Sequence, residues 1–190
     1  MAKKTAVKKT LEKKSVATAK IIAKTATKAA GKAVAKGLEH SLVGKKAPAF
    51  ELPATGGQTV SLKGLAGKKV VLYFYPKDAT PGCTIEGHEF TRLKKQFEKK
   101  NTVVFGISRD SVKSHEKFKE KECYAIDLIS DEKSELCNAF DVIKEKNMYG
   151  KKVMGIERST FVIDEKGVVV NEWRKVKVEG HAEEVLNSLK

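Results

Sequence analysis

Between Lys69 and Tyr75 the chain reads KVVLYFY, a β-branched and aromatic run that Pro76 halts, as expected of a central strand buried on both faces. From Cys83 to Lys99 the spacing becomes helical. Ile85, Phe90, Leu93 and Phe97 fall on one side with charges between them, so a helix opens at Cys83. Asn101 to Ser108 (NTVVFGIS) repeats the buried-strand pattern, and Ser111 to Glu122 is a charged helix that reaches a core through Val112 and Phe118. A short strand over Ile126 to Ile129 stops at Ser130-Asp131, and a short helix follows over Glu132 to Phe140. Ser159 to Ile163 and Val168 to Trp173 form a hairpin about Glu165-Lys166-Gly167, and His181 to Leu189 closes the chain as a helix. Strands alternating with helices, then a hairpin and a last helix, predict an α/β/α sandwich around a central mixed sheet.

Ahead of this pattern the texture is different. Residues 1–37 hold eleven lysines and one acid, Glu12, so +10 of the net charge of +14 lies there and +4 in the rest. Lys20, Lys24, Lys28, Lys32 and Lys36 stack along one helical face. Like charges four residues apart repel, and no apolar stripe docks the segment, which predicts a disordered or marginally helical extension. The shift in composition sets a boundary near Gly37, and the globular domain spans 42–190, entered through an extended lead-in from Pro48 to Pro53.

Lysines in a flexible segment contact phosphates and release counterions, which gives a sequence-independent, salt-sensitive affinity for nucleic acid. The competing readings are a solvated tail without a dedicated partner and an organelle presequence. The lack of arginine in the segment speaks against the presequence. No apolar run approaches the roughly 20 residues of a membrane-spanning helix, so a soluble protein with no membrane partner is expected. The three cysteines Cys83, Cys123 and Cys137 form no CxxC pair and no zinc-finger spacing, and no apolar signal core follows Met1. A reducing, cytoplasmic compartment follows, with association to a nucleoid or nucleus through the extension as the alternative, and neither metal nor cofactor is expected.

Cys83 carries the chemistry. It lies where the KVVLYFY strand passes through Pro76-Lys-Asp-Ala-Thr-Pro-Gly82 into the first turn of a helix. Unpaired backbone N–H groups and the helix dipole there favour a thiolate, and the same groups can hold negative charge that develops as an O–O bond breaks. On local residues alone a small buried hydrophobe is an equal reading. Arg158 suits such a thiol because a guanidinium stabilises the anion and keeps its proton near neutral pH.

YFYPKDATPGCT (Tyr73 to Thr84) resembles the active-site signature of peroxiredoxins, with TPGCT followed by Glu86 similar to the bacterioferritin comigratory protein, or peroxiredoxin Q, subfamily. LISD (Leu128 to Asp131), IERSTFVID (Ile156 to Asp164) and WRKVKVEGHAEEVL (Trp173 to Leu186) extend the likeness over Leu42 to Lys190. The resemblance implies a thioredoxin-like fold and a thiol peroxidase serving antioxidant defence. Cys83 would be oxidised by hydrogen peroxide or an organic hydroperoxide to a sulfenic acid, with Thr80 hydrogen-bonded to peroxide and thiolate, Pro76 shielding the site and Arg158 completing it.

Recycling by thioredoxin or another thiol donor is implied as well, and a monomer is expected. Here the chain departs from part of the family. The position five residues after Cys83, where many members carry a resolving cysteine, is His88, and the usual place on the next helix aligns with Lys119. Cys123 is the nearest candidate for that role, Cys137 reads as a core thiol, and a one-cysteine mechanism with an external thiol stays open. Glu86 reads either as a partner of Arg158 or as ordinary dipole complementarity in a first helical turn.

Overall fold

The computed structural model describes residues 41–148 and 151–190; the lysine-rich extension and its expected partial helicity lie outside the described residues. Leu42–Lys190 forms one compact unit. Its strands are β1 (Glu51–Ala54), β2 (Gln58–Ser61), β3 (Lys69–Phe74), β4 (Thr102–Ser108), β5 (Asp127–Ser130), β6 (Ile143–Met148), β7 (Lys151–Ile156), β8 (Ser159–Ile163) and β9 (Val169–Arg174). Its helices are α1 (Pro81–Lys99), α2 (Val112–Lys121), α3 (Glu135–Ala139) and α4 (His181–Ser188). Seven strands make one mixed sheet in the order β2-β1-β5-β4-β3-β8-β9, in which β3 runs parallel to β4 and antiparallel to β8.

β3 is central, and its alternation divides the core. Val70, Leu72 and Phe74 face one cluster with Leu136, Cys137, Phe140 and Phe161. Val71, Tyr73 and Tyr75 face the other, with Phe90, Leu93 and Phe97 of α1, Phe118 of α2 and Val185 and Leu186 of α4. A strand covered on both faces needs apolar residues at every position, which is why KVVLYFY lacks polar alternation. The Tyr73 ring lies over Gly106 of β4 so closely that a Cβ there would come within 2.5 Å of the hydroxyl oxygen, which explains the glycine inside NTVVFGIS.

Three expectations change. Ile85 is 54% exposed, and the buried stripe of α1 is Cys83, Glu86, Phe90, Leu93 and Phe97. Those positions step by three and four, whereas Ile85 lies about 100° round the helix from Glu86 and faces solvent. On α2 the buried partner of Phe118 is His115, and Val112 is only partly covered. The helix expected over Glu132 to Phe140 shrinks to Glu135–Ala139, because Ser134 takes a left-handed φ of 60° immediately before it. The β6–β7 hairpin forms a separate two-stranded sheet that no alternation in its lysine-rich sequence announces.

Candidate active site

β3 ends at Phe74, and the main chain of Tyr75 still reaches β4 through its N–H to Ile107 O at 3.0 Å. Pro76 then breaks the ladder. Thr80 is the N-cap of α1 with extended backbone, Pro81 takes the first helical position, and Cys83 falls in the first turn, so the helix begins two residues before the start at Cys83 expected from the sequence. The sulfur is nearly covered, at 2% residue exposure.

Two donors meet it. Thr80 Oγ1 lies 2.8 Å from Cys83 Sγ, and Arg158 Nη2 donates to the same sulfur at 3.2 Å. Thr80 Oγ1 also lies 3.1 Å from Lys77 O, and its single proton serves one acceptor at a time. Against a neutral thiol the hydroxyl can donate to Lys77 O and accept the S–H; against a thiolate it donates to sulfur.

Arg158 arrives from 75 residues away because of sheet register. Phe74 of β3 pairs with Ser159 of β8, so the residue before β8 stands beside the end of β3 from which the Cys83 loop departs. Its other terminal nitrogen, Nη1, forms an ion pair with Glu86 Oε2. One guanidinium therefore bridges two residues of the buried α1 stripe. Burial is the larger influence on Glu86 and pushes its carboxyl up to about 7, although Arg158 pulls it down; its second oxygen, Oε1, is buried with no partner. Burial also opposes the charge on Arg158, but Glu86 and Cys83 outweigh it and hold the guanidinium protonated. Lys146 of β6 donates to Ile156 O at 2.5 Å, two residues ahead of Arg158, and burial together with that neighbour lowers its ammonium below the usual lysine range.

A stability prediction follows. Glu86 keeps its proton to about pH 7 in the fold but sheds it near 4.5 when unfolded, so its burial lowers stability progressively as pH rises through that window, by about 3 kcal/mol in full. Thermal melts at pH 5 and pH 8 should show Glu86→Gln, which keeps an oxygen for Arg158, losing less stability between the two than the parent. Identical pH slopes would contradict it.

Pro76 sits half-buried at the strand end. Cys123 is exposed, with a φ of 53°, at the left-handed position that closes α2: its N–H reaches Glu120 O (3.2 Å) and that of Tyr124 reaches Lys119 O (3.0 Å). Glycine is usual there. The flanking residues touch α1, with His88 Nε2 3.1 Å from Glu122 Oε2, the Tyr124 hydroxyl donating to Thr84 O at 3.0 Å and the Tyr124 ring packed over Gly87. Lys119 forms an ion pair with Asp127. Cys137 is wholly buried in the core, and burial pushes its thiol well up, away from the thiolate.

The sequence leaves Glu86 open between a partner of Arg158 and a first-turn acid, and the ion pair decides for the partner, whereas Asp78 and His115 are not singled out by the sequence. Glu86 was detectable, since extending the Phe97-Leu93-Phe90 stripe backwards by steps of four and three lands on Glu86 and Cys83. Asp78 and His115 carry no such signal.

A mixed sheet of this order with helices on both faces, and a thiol seated on the helix after the central strand, is the thioredoxin-like arrangement of a peroxiredoxin. A model of the AhpC/TSA family matches residues 43–172. Peroxiredoxin Bcp of Xanthomonas campestris is 56% identical over 146 residues, 76% of this chain and 91% of the relative, and that of Bacillus subtilis 49% identical over 148 residues, 78% and 94%. The solved structure of the X. campestris bacterioferritin comigratory protein, described for its alkyl peroxide reduction activity, aligns with a TM-score of 0.71 at 54% identity, covering 74% of this chain and 89% of that one. The chain belongs to the AhpC/TSA family and is a peroxidase of the oxidoreductase class. Among the described residues no helix is long and apolar enough to cross a membrane.

Proposed function

We propose that Cys83 is the attacking thiol of a peroxidase acting on hydrogen peroxide and organic hydroperoxides. The observation that carries this reading is the pair of donors on one sulfur, Thr80 at 2.8 Å and Arg158 at 3.2 Å, at the first turn of α1. The thiolate attacks the terminal oxygen of ROOH, an S–O bond forms as the O–O bond breaks, and RO⁻ leaves and takes a proton as ROH. Thr80 and Arg158 aim hydrogen-bond donors at the attacking sulfur, and Arg158, with the N–H groups of the helix, meets the charge that moves onto oxygen. Pro76 keeps water from the strand end.

The sulfenic acid then condenses with a second thiol, losing water to give a disulfide, and a dithiol such as thioredoxin supplies the two electrons that reopen it. Cys123 is the candidate within the chain. Its exposure and its strained left-handed backbone favour release of the last turn of α2, and its neighbours already lie against the first turns of α1. Treating the protein with one equivalent of peroxide and mapping its peptides tests both steps. The expected product is an oxidised Cys83, as a Cys83–Cys123 disulfide or as a mixed disulfide with added thiol. Oxygen accumulating on Cys123 or Cys137 while Cys83 stays reduced would refute the assignment.

Further parts of the reading are a monomeric, cytoplasmic enzyme whose residues 1–37 bring it to nucleic acid without sequence preference. The +10 charge of that segment supports the association. DNA retention at low salt should weaken steeply with added salt and disappear in a chain starting at residue 38; retention unchanged by the truncation excludes the role.

A further inference from the structure

Next to the Cys83 site lies a buried polar cluster that the chemistry proposed above does not use. Asp78 Oδ1 accepts the Tyr75 hydroxyl at 2.8 Å, Oδ2 accepts the Ser114 hydroxyl at 2.8 Å, and His115 Nδ1 lies 3.0 Å from both oxygens. Asp78 is 7% exposed and His115 fully buried, with Nε2 of the ring unpartnered. Burial alone would raise the Asp78 carboxyl, but the bonds from His115, Ser114 and Tyr75 outweigh it and hold it below the usual carboxylate range. A buried carboxylate kept ionised by three donors is an expensive feature to place in a loop.

The loop is the one that delivers Thr80 and Cys83. The Asp78 N–H donates to Asp110 Oδ2 at 2.9 Å, an oxygen that also takes the Ser108 hydroxyl at 2.6 Å. Main chain and side chain of one residue are thus tied to the segment running from the end of β4 into α2. Ala79, next along, has a φ of 55°, a conformation that disfavours any side chain with a Cβ and persists where its surroundings enforce it. Thr80 follows at once, with one proton and two acceptors in reach, Lys77 O and Cys83 Sγ.

We propose that Asp78, gripped by His115, Ser114 and Tyr75, is a positioning residue for the peroxidase: it clamps the Pro76 to Thr80 turn in the form that aims the Thr80 hydroxyl at the Cys83 sulfur. The inference rests on the reading of Cys83 as the attacking thiol. It goes beyond that reading by making the aim depend on α2, from which two of the three side-chain donors come. If the grip slackens, Ala79 relaxes from its left-handed form and the Thr80 proton stays on Lys77 O. A cluster that serves folding alone would lower stability and leave the sulfur as it was.

The test is alkylation of Cys83 by iodoacetamide across pH, followed on its own peptide by mass spectrometry, beside peroxide consumption and thermal melts. Asp78→Ala is expected to slow Cys83 alkylation at neutral pH about tenfold, to move its profile to higher pH and to slow peroxide consumption by a similar factor, the effect of losing one hydrogen bond to an anion. His115→Leu should behave alike, and His115→Asn, whose amide keeps a donor near the Nδ1 position, should restore most of the rate. Should Asp78→Ala fail to fold, Ser114→Ala removes a single donor and is expected to give the same shift at about two- to threefold. Lower melting temperatures with an alkylation profile and peroxide rate unchanged overturn the proposal. Peroxide that leaves Cys83 untouched in the parent protein would instead remove the reading beneath it, while the alkylation profiles would still report on the clamp.

Discussion

Cys83→Ser is expected to abolish catalysed peroxide consumption, a fall of about 10³-fold or more. A serine hydroxyl in the same place accepts the same bonds from Thr80 and Arg158 but stays protonated at neutral pH and has little nucleophilicity toward peroxide oxygen. The two remaining thiols cannot replace it. Cys137 is buried and held in its neutral form, and Cys123, although exposed, lies beyond the end of α2, where its sulfur reaches toward Glu120 O at 3.8 Å. Stopped-flow assays on the variant and the parent, with circular dichroism to confirm the fold, make the comparison. Turnover that survives the substitution would move the chemistry to another residue.

The second large effect belongs to Arg158. Arg158→Met should lower the peroxidase rate by about 10²–10³-fold, the usual consequence of removing a donor aimed at developing charge. Arg158→Lys should recover little of it, because one ammonium on a flexible stem cannot span Cys83 Sγ and Glu86 Oε2 as the two ends of a guanidinium do. The methionine variant also has a stability signature. Without its cation Glu86 would be an unpaired buried carboxylate, so its pKa rises further above 7, and folding then favours the protonated acid still more strongly. The variant should therefore be closer to the parent in melting temperature at pH 5.5 than at pH 8. Equal losses at both pH values, or peroxidase activity near that of the parent, would rule out the bridging role.

What could be read from residues alone differed by element. KVVLYFY announced β3, since a strand covered on both faces has no polar positions to confuse its pattern. The short motifs YFYPKDATPGCT and IERSTFVID pointed to Thr80, Cys83 and Arg158, and the fold brings Thr80 and Arg158 each within hydrogen-bond distance of the Cys83 sulfur. The facing of α1 differs by one residue at Ile85, because the core side goes not to this apolar residue but to its acidic neighbour Glu86, which can be buried there through its ion pair with Arg158. The β6–β7 hairpin was missed because it stands outside the main sheet, and several of its side chains, including Val153 and Met154, remain exposed and so carry no alternation.

The chain by itself determined its alternation of strands and helices, its central strand, the placing of Cys83 in a first helical turn and the charge step near Gly37, since each follows from neighbours a few residues apart whose spacing matches a backbone period or shifts the local composition. Tertiary structure alone decided that Arg158 bridges Cys83 and Glu86, and that Asp78 is held by Tyr75, Ser114 and His115. Those contacts depend on the β3–β8 register and on where α2 packs. Such pairings are set by burying two core faces at once, a condition on the whole sheet that no local window of sequence contains.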